Sequence, residues 1–173
     1  MELTNKQVMV FAEGDYEDLE LWYPKLRLIE AGANVIVAGP REKSYASKHG
    51  YPAQTDGNVR DYTATAFDAL VVPGGWCPDR LRRYEEVLAF TREMVERGKV
   101  VAAICHGGWV LASAEVLRGR RVTSVPAIKH DMIHAGADWV DEPVVVDRRL
   151  VTAQVPKDLP AFCREIVALL ASG

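Results

Sequence analysis

Short, nearly unbroken runs of Val, Ile, Leu and Ala recur along this chain with helical stretches between them, and that alternation leaves few folds open. Gln7–Phe11, Asn34–Ala38, Ala69–Pro73 and Val100–Ile104 read as strands without polar alternation. A strand of that kind is buried on both faces, as in a parallel sheet covered by helices. The stretches between them agree. Asp18–Ala31 carries Leu19, Trp22, Leu26 and Ile29 at helical spacing and stops at Gly32. Pro78–Arg97 predicts a helix in two pieces ending at Gly98, and His106–Ala114 a further helix. Ile128–Ala135 predicts another before Gly136, and Leu159–Ala171 a closing amphipathic helix. Ser44–Val59 is polar and glycine-punctuated, as a small hairpin would be. Arg121–Ser124 reads as strand, and Val144–Val146 and Leu150–Thr152 flank a turn at Asp147-Arg148-Arg149. The expected fold is α/β, a three-layer α/β/α sandwich around a doubly wound, mostly parallel sheet. Its site should lie beyond the carboxyl ends of the strands.

At 173 residues, without repeat, low-complexity stretch or Gly/Ser linker, the chain reads as one domain, 1–173. Its 21 Lys+Arg against 24 Asp+Glu give a formal net charge of −3, which argues against a nucleic-acid partner. The longest apolar runs, Val100–Cys105 and Ile166–Ala171, fall far short of the roughly 20 residues of a membrane span. Val8–Ala12 is too short for the core of a secretory leader. The three cysteines, Cys77, Cys105 and Cys163, form neither a disulfide framework nor a zinc pattern. A reducing, cytoplasmic setting is expected, in which a cysteine is free to be a reactive thiol.

The sharpest chemical signal is Ala102-Ala103-Ile104-Cys105-His106-Gly107-Gly108, where an apolar strand runs into a cysteine, two glycines and a helix. A tight strand–turn–helix holds a nucleophile in a strained backbone with its side chain presented. The glycines let helix and strand pack closely. A thiol at a helix N-terminus is expected to have a lowered pKa. Val71-Val72-Pro73-Gly74-Gly75 also ends a strand, and the N–H groups of Gly75 and His106 together suit an oxyanion hole. Cys77 and Cys163 read as core cysteines. His130 and His134 stand at i, i+4, but with no third ligand visible they read as a surface pair, so no metal is expected. Arg80, Arg82 and Arg83 read as a solvated helix face. No phosphate-binding glycine loop is present, and no cofactor is expected.

Several segments, in one order and spacing over nearly the whole chain, resemble the PfpI-type intracellular proteases, which share a superfamily with the Parkinson-linked redox chaperone and with protein deglycases. They are Phe11-Ala12-Glu13-Gly14-Asp15-Tyr16-Glu17-Asp18-Leu19-Glu20-Leu21-Trp22-Tyr23-Pro24, Lys48-His49-Gly50, Leu70–Gly75, Ala103–Gly107, Val116–Arg120, Ile128-Lys129 with Asp131-Met132-Ile133 and Ala135-Gly136, and Trp139-Val140-Asp141. The resemblance implies a flavodoxin-like core, Cys105 as nucleophile, His106 as its partner and Glu17 as the carboxyl that touches the thiol. It also implies an acidic residue, supplied by a neighbouring subunit, that orients the histidine. The matching position is Asp79, where the family usually carries Glu, one methylene longer. Gly108 stands for a frequent Pro, and Val125 for an aromatic hydroxyl. Class I glutamine amidotransferases also use an elbow cysteine, but the His-x-Glu they need downstream is missing here.

Two alternatives stay open at the site. Adjacent residues do not normally face each other, so His106 either turns its ring to the thiol or contributes only its N–H. Glu17 either shares a proton with the thiol or belongs to a solvated acidic loop. The function expected is a cofactor-free cysteine hydrolase of the PfpI type. Peptidase, deglycase and glyoxalase chemistry need the same parts, acting on a small carbonyl, a peptide or a glycated protein. The alternative is an oxidative-stress sensor or chaperone in which Cys105 becomes a sulfinate. A homo-oligomer, dimer or hexamer, is expected, with the site near a subunit interface.

Overall fold

The computed structural model describes residues 2–173. In chain order the elements are β1 (Gln7–Phe11), α1 (Asp18–Glu30), β2 (Asn34–Gly39), β3 (Ser44–Ala46), β4 (Pro52–Gln54) and β5 (Gly57–Asn58). They continue with β6 (Ala69–Val72), α2 (Cys77–Leu81), α3 (Glu85–Glu96), β7 (Val100–Ile104), α4 (Gly108–Ser113), β8 (Arg121–Val122) and α5 (Lys129–His134). The last are β9 (Asp138–Trp139), β10 (Val144–Asp147), β11 (Leu150–Ala153) and α6 (Leu159–Ala171).

Seven strands form one sheet in the order β10-β11-β7-β6-β1-β2-β5. All neighbours in it are parallel except the β10–β11 hairpin. The five central strands follow the flavodoxin-like order, with helices on both faces, so the sandwich is doubly wound as the apolar runs require. All four residues of β6 and all five of β7 are buried, which explains why neither strand alternates. The winding reverses between β1 and β6, which pair directly. The loops leaving β1, β6 and β7 therefore meet in one crevice.

Ser44–Ala46 and Pro52–Gln54 form the small antiparallel hairpin. The expected strand at Arg121–Ser124 is shorter and lies outside the main sheet, in a two-stranded parallel pair with β9. Among the described residues no helix is long and apolar enough to cross a membrane.

Helix α1 forms over the expected residues but turns another side inward. Leu19 and Leu26, at 55% and 58% exposure, face outward with Tyr23 and Ile29, while Glu20, Leu21, Pro24 and Leu28 are buried. The face is set by the loop ahead of the helix. The Glu17 N–H donates to the Gly74 carbonyl at 3.2 Å, and the Gly74 N–H donates to Glu20 Oε2 at 2.8 Å. Those two bonds tie the first turn to the β6 loop and draw a carboxyl into the interior.

Candidate active site

The chain turns sharply at Cys105. Its φ is +59°, in the left-handed region that disfavours side chains. A single 3₁₀ turn, Cys105–Gly107, then leads into α4. The turn closes only because Gly107 has no side chain, since a Cβ there would sit 2.6 Å from the Val72 carbonyl oxygen. The same holds at Gly74, where a Cβ would lie 2.4 Å from Glu20 Oε2 and 2.8 Å from Cys105 Cβ. Two strand ends and one helix thus press a thiol, a carboxyl and free backbone N–H groups together. The loop after β1 is pinned to its neighbours as well. The Trp76 N–H donates to the Asp15 carbonyl at 2.9 Å, and the Lys48 N–H to the Tyr16 carbonyl at 3.0 Å.

The carboxyl against the Cys105 thiol belongs to Glu20, not to Glu17 as the resemblance implied. Glu20 is fully buried, its Oε2 accepts from Gly74, and its Oε1 receives no hydrogen bond. Burial and the nearby Glu17 charge push it up to about 7. Glu17 lines the same crevice one helical turn away, but its carboxylate is paired with Lys48. The geometry of α1 decides between them: position 17 precedes the helix, whereas position 20 shares the buried side with Leu21, Pro24 and Leu28.

The thiol is not lowered as a helix N-terminus would lower it. Burial, then the Glu20 charge, pushes Cys105 up to about 12, while the N–H groups of His106 and Gly75 pull the other way. The helix that follows has six residues, too short for its dipole to outweigh desolvation. The Cys105–Glu20 pair therefore carries two protons below about pH 7, and one proton with one negative charge above it.

His106 does turn its ring to the thiol. Nδ1 lies 3.4 Å from Cys105 Sγ, reachable from the next residue only because of the left-handed turn. Burial, with Lys48 nearby, lowers its pKa and favours the neutral ring. Among the described residues no carboxylate bonds that ring. Asp79, at the start of α2, is paired with Arg83 on the surface. Gly75, at φ +73°, aims its N–H at the thiol, as does His106.

A cavity of about 200 Å³ opens over these groups, walled by Glu17, Glu20, Lys48, Gly75 and Trp76 around Cys105 and His106. Lys48 and Trp76 carried no role in the sequence reading. The only signal for Glu20 was a second stripe, Leu21, Pro24 and Leu28, at helical spacing. Cys77 and Cys163 are buried in the core. Glu17, Asp18 and His49 place ligand-type atoms within 4.8 Å of one another, but each is satisfied: Asp18 pairs with His49 at 2.7 Å and Glu17 with Lys48. His130 and His134 stand exposed on α5.

The profile of the DJ-1/PfpI family matches residues 6–169. A deglycase of Pyrococcus abyssi is 48% identical over 164 residues, covering 95% of this chain and 99% of that protein. A protein named protein/nucleic acid deglycase 2, of Escherichia coli, is 42% identical over 171 residues, covering 97% and 99%. Among solved structures, a two-domain Anabaena variabilis protein with DJ-1/ThiJ/PfpI-like and ferritin-like domains superposes with a TM-score of 0.93 at 42% identity. That match covers 95% of this chain and 48% of the two-domain protein.

Proposed function

Because this chain belongs to the DJ-1/PfpI family, we propose that it is a cofactor-free cysteine hydrolase of carbonyl adducts, a deglycase in its main reaction. The observation that carries this reading is the meeting of the strained Cys105 with Glu20 and with Nδ1 of His106 in a cavity sized for a small carbonyl. The names of its relatives support the same chemistry. Its three free cysteines suit a reducing, cytoplasmic compartment.

For a methylglyoxal adduct of a thiol or amine, Glu20 takes the proton of Cys105 as the sulfur bonds to the adducted carbon. The adducted thiol or amine leaves with that proton, passed on by Glu20. The hemithioacetal now on Cys105 keeps its oxygen near the N–H groups of Gly75 and His106. Transfer of its C1 proton to C2 through His106, with the C1 hydroxyl proton moving to the C2 oxygen, gives a thioester. Water hydrolyses that bond to lactate and returns the thiol. The net reaction is adduct plus water to lactate plus the free thiol or amine, with no external oxidant. A thiol held mainly as S–H needs such a base in contact with it, and Glu20 is placed as that base.

Sulfinate sensing draws on the same contact, because a protonated Glu20 can donate to a sulfinate oxygen. His106 at the sulfur favours the enzyme instead, since turnover needs a proton carrier there and sulfinate storage does not. The outward apolar side of α1, with Leu19, Tyr23, Leu26 and Ile29, supports the homo-oligomer as a self-contact surface. Turnover of a methylglyoxal-modified thiol, of methylglyoxal and of a fluorogenic peptide, each against Cys105→Ser, tests the reading. Activity on the adduct that disappears in the variant is expected. Turnover of the peptide alone would make the protein a peptidase and not a deglycase.

A further inference from the structure

His106 is held by rings. The Trp76 ring centroid lies 5.3 Å from the imidazole with the planes at 40°, and the Trp109 centroid lies 5.0 Å away at 56°. Both separations fall in the range where aromatic pairs attract, roughly 4.5–7 Å. The Trp109 indole is itself anchored. Its Nε1 donates to Asp131 Oδ2 at 3.0 Å, and the Arg82 guanidinium sits 5.4 Å from its ring centre. Arg82 is in turn fixed by donation from Nε to Ser113 Oγ at 2.8 Å. On the other side, the Trp76 backbone is tied to Asp15.

We infer that Trp76 and Trp109 are positioning residues that clamp the His106 imidazole and set its Nδ1 toward the Cys105 sulfur. An imidazole one residue along from the nucleophile reaches the sulfur only over a narrow range of side-chain torsions. Two indoles against it restrict that range. Proton transfer depends steeply on such placement. The inference rests on the reading of His106 as proton carrier.

The test compares Trp109→Leu, Trp109→Phe and Asp131→Ala, the last because it releases the indole without touching the core. Proton–carbon NMR of the histidine rings reads the clamp without activity. In the wild type the His106 ring signals should be displaced by the indole ring currents, and in Trp109→Leu they should move toward those of free histidine. On a methylglyoxal-modified thiol, Trp109→Leu should lower kcat about tenfold with KM within about twofold. Trp109→Phe should recover to within about threefold, and Asp131→Ala should fall between them. Unmoved His106 signals in folded Trp109→Leu and Asp131→Ala overturn the clamp. If the wild type turns over no adduct while the signals still move, the clamp stands and the proposed activity is what fails.

Discussion

Glu20→Gln should make this protein more stable at alkaline pH and leave it nearly unchanged in acid. The folded-state pKa of Glu20 is raised to about 7 from an ordinary 4.5. A raised carboxyl means that the native state binds more protons than the unfolded chain between those values. Stability therefore falls as pH rises through that window and stays lowered above it. The gap of about 2.5 pKa units corresponds to roughly 3 kcal/mol. Glutamine has no proton to lose. Its carbonyl can still accept from the Gly74 N–H, and its amide can donate to the Cys105 sulfur. In urea unfolding under reductant at fixed protein concentration, the variant should gain roughly 3 kcal/mol over wild type at pH 8 and stay within about 0.5 kcal/mol at pH 4.5. The thiol should also titrate lower, because the Glu20 charge that helps burial to raise it is gone. No gain at pH 8 would refute the buried, proton-holding Glu20. An equal gain at both pH values would assign the effect to packing and refute the electrostatic reasoning equally.

Three further perturbations follow from the same contacts. Cys105→Ser should abolish turnover yet move the melting midpoint by no more than about 3 °C, checked by calorimetry beside the activity assay. Gly74→Ala should destabilise by about 2 kcal/mol or more and disturb the thiol, because its Cβ would strike both Glu20 and Cys105; circular dichroism melts and alkylation of Cys105 report both effects. Leu26→Glu should convert an oligomer to monomers by light scattering, while a wild type already monomeric at micromolar concentration would dismiss the self-contact surface.

The layers and the strained turn at Cys105 were legible because each has a local signature. Unbroken apolar runs specify strands buried on both faces, and a strand running into Cys-His-Gly-Gly specifies a tight turn, whatever the rest of the chain does. The face of α1 was not legible. Leu19, Trp22, Leu26 and Ile29 form the more regular stripe, yet most of it faces outward because backbone bonds from the β6 loop hold Glu17 and Glu20 in place. The identity of the contacting carboxyl went wrong for the same reason, since it depends on helix rotation that long-range contacts decide. The thiol pKa went the other way because a dipole argument sees the next helix but not the desolvation by the whole crevice. The indoles beside His106 come from two separate segments, and nothing in either segment announces the meeting.

That Cys105 attacks the adducted carbon with Glu20 as its base is tested most directly by the pH dependence of kcat/KM for lactate release from a methylglyoxal-modified thiol. In the wild type the rate should rise through about pH 7, as Glu20 loses its proton and becomes able to take that of the thiol. That limb should vanish in Glu20→Gln, and Cys105→Ser should release lactate no faster than the uncatalysed adduct. A Cys105→Ser protein that releases lactate at the wild-type rate, or a Glu20→Gln profile that keeps the same rise near pH 7, would contradict it.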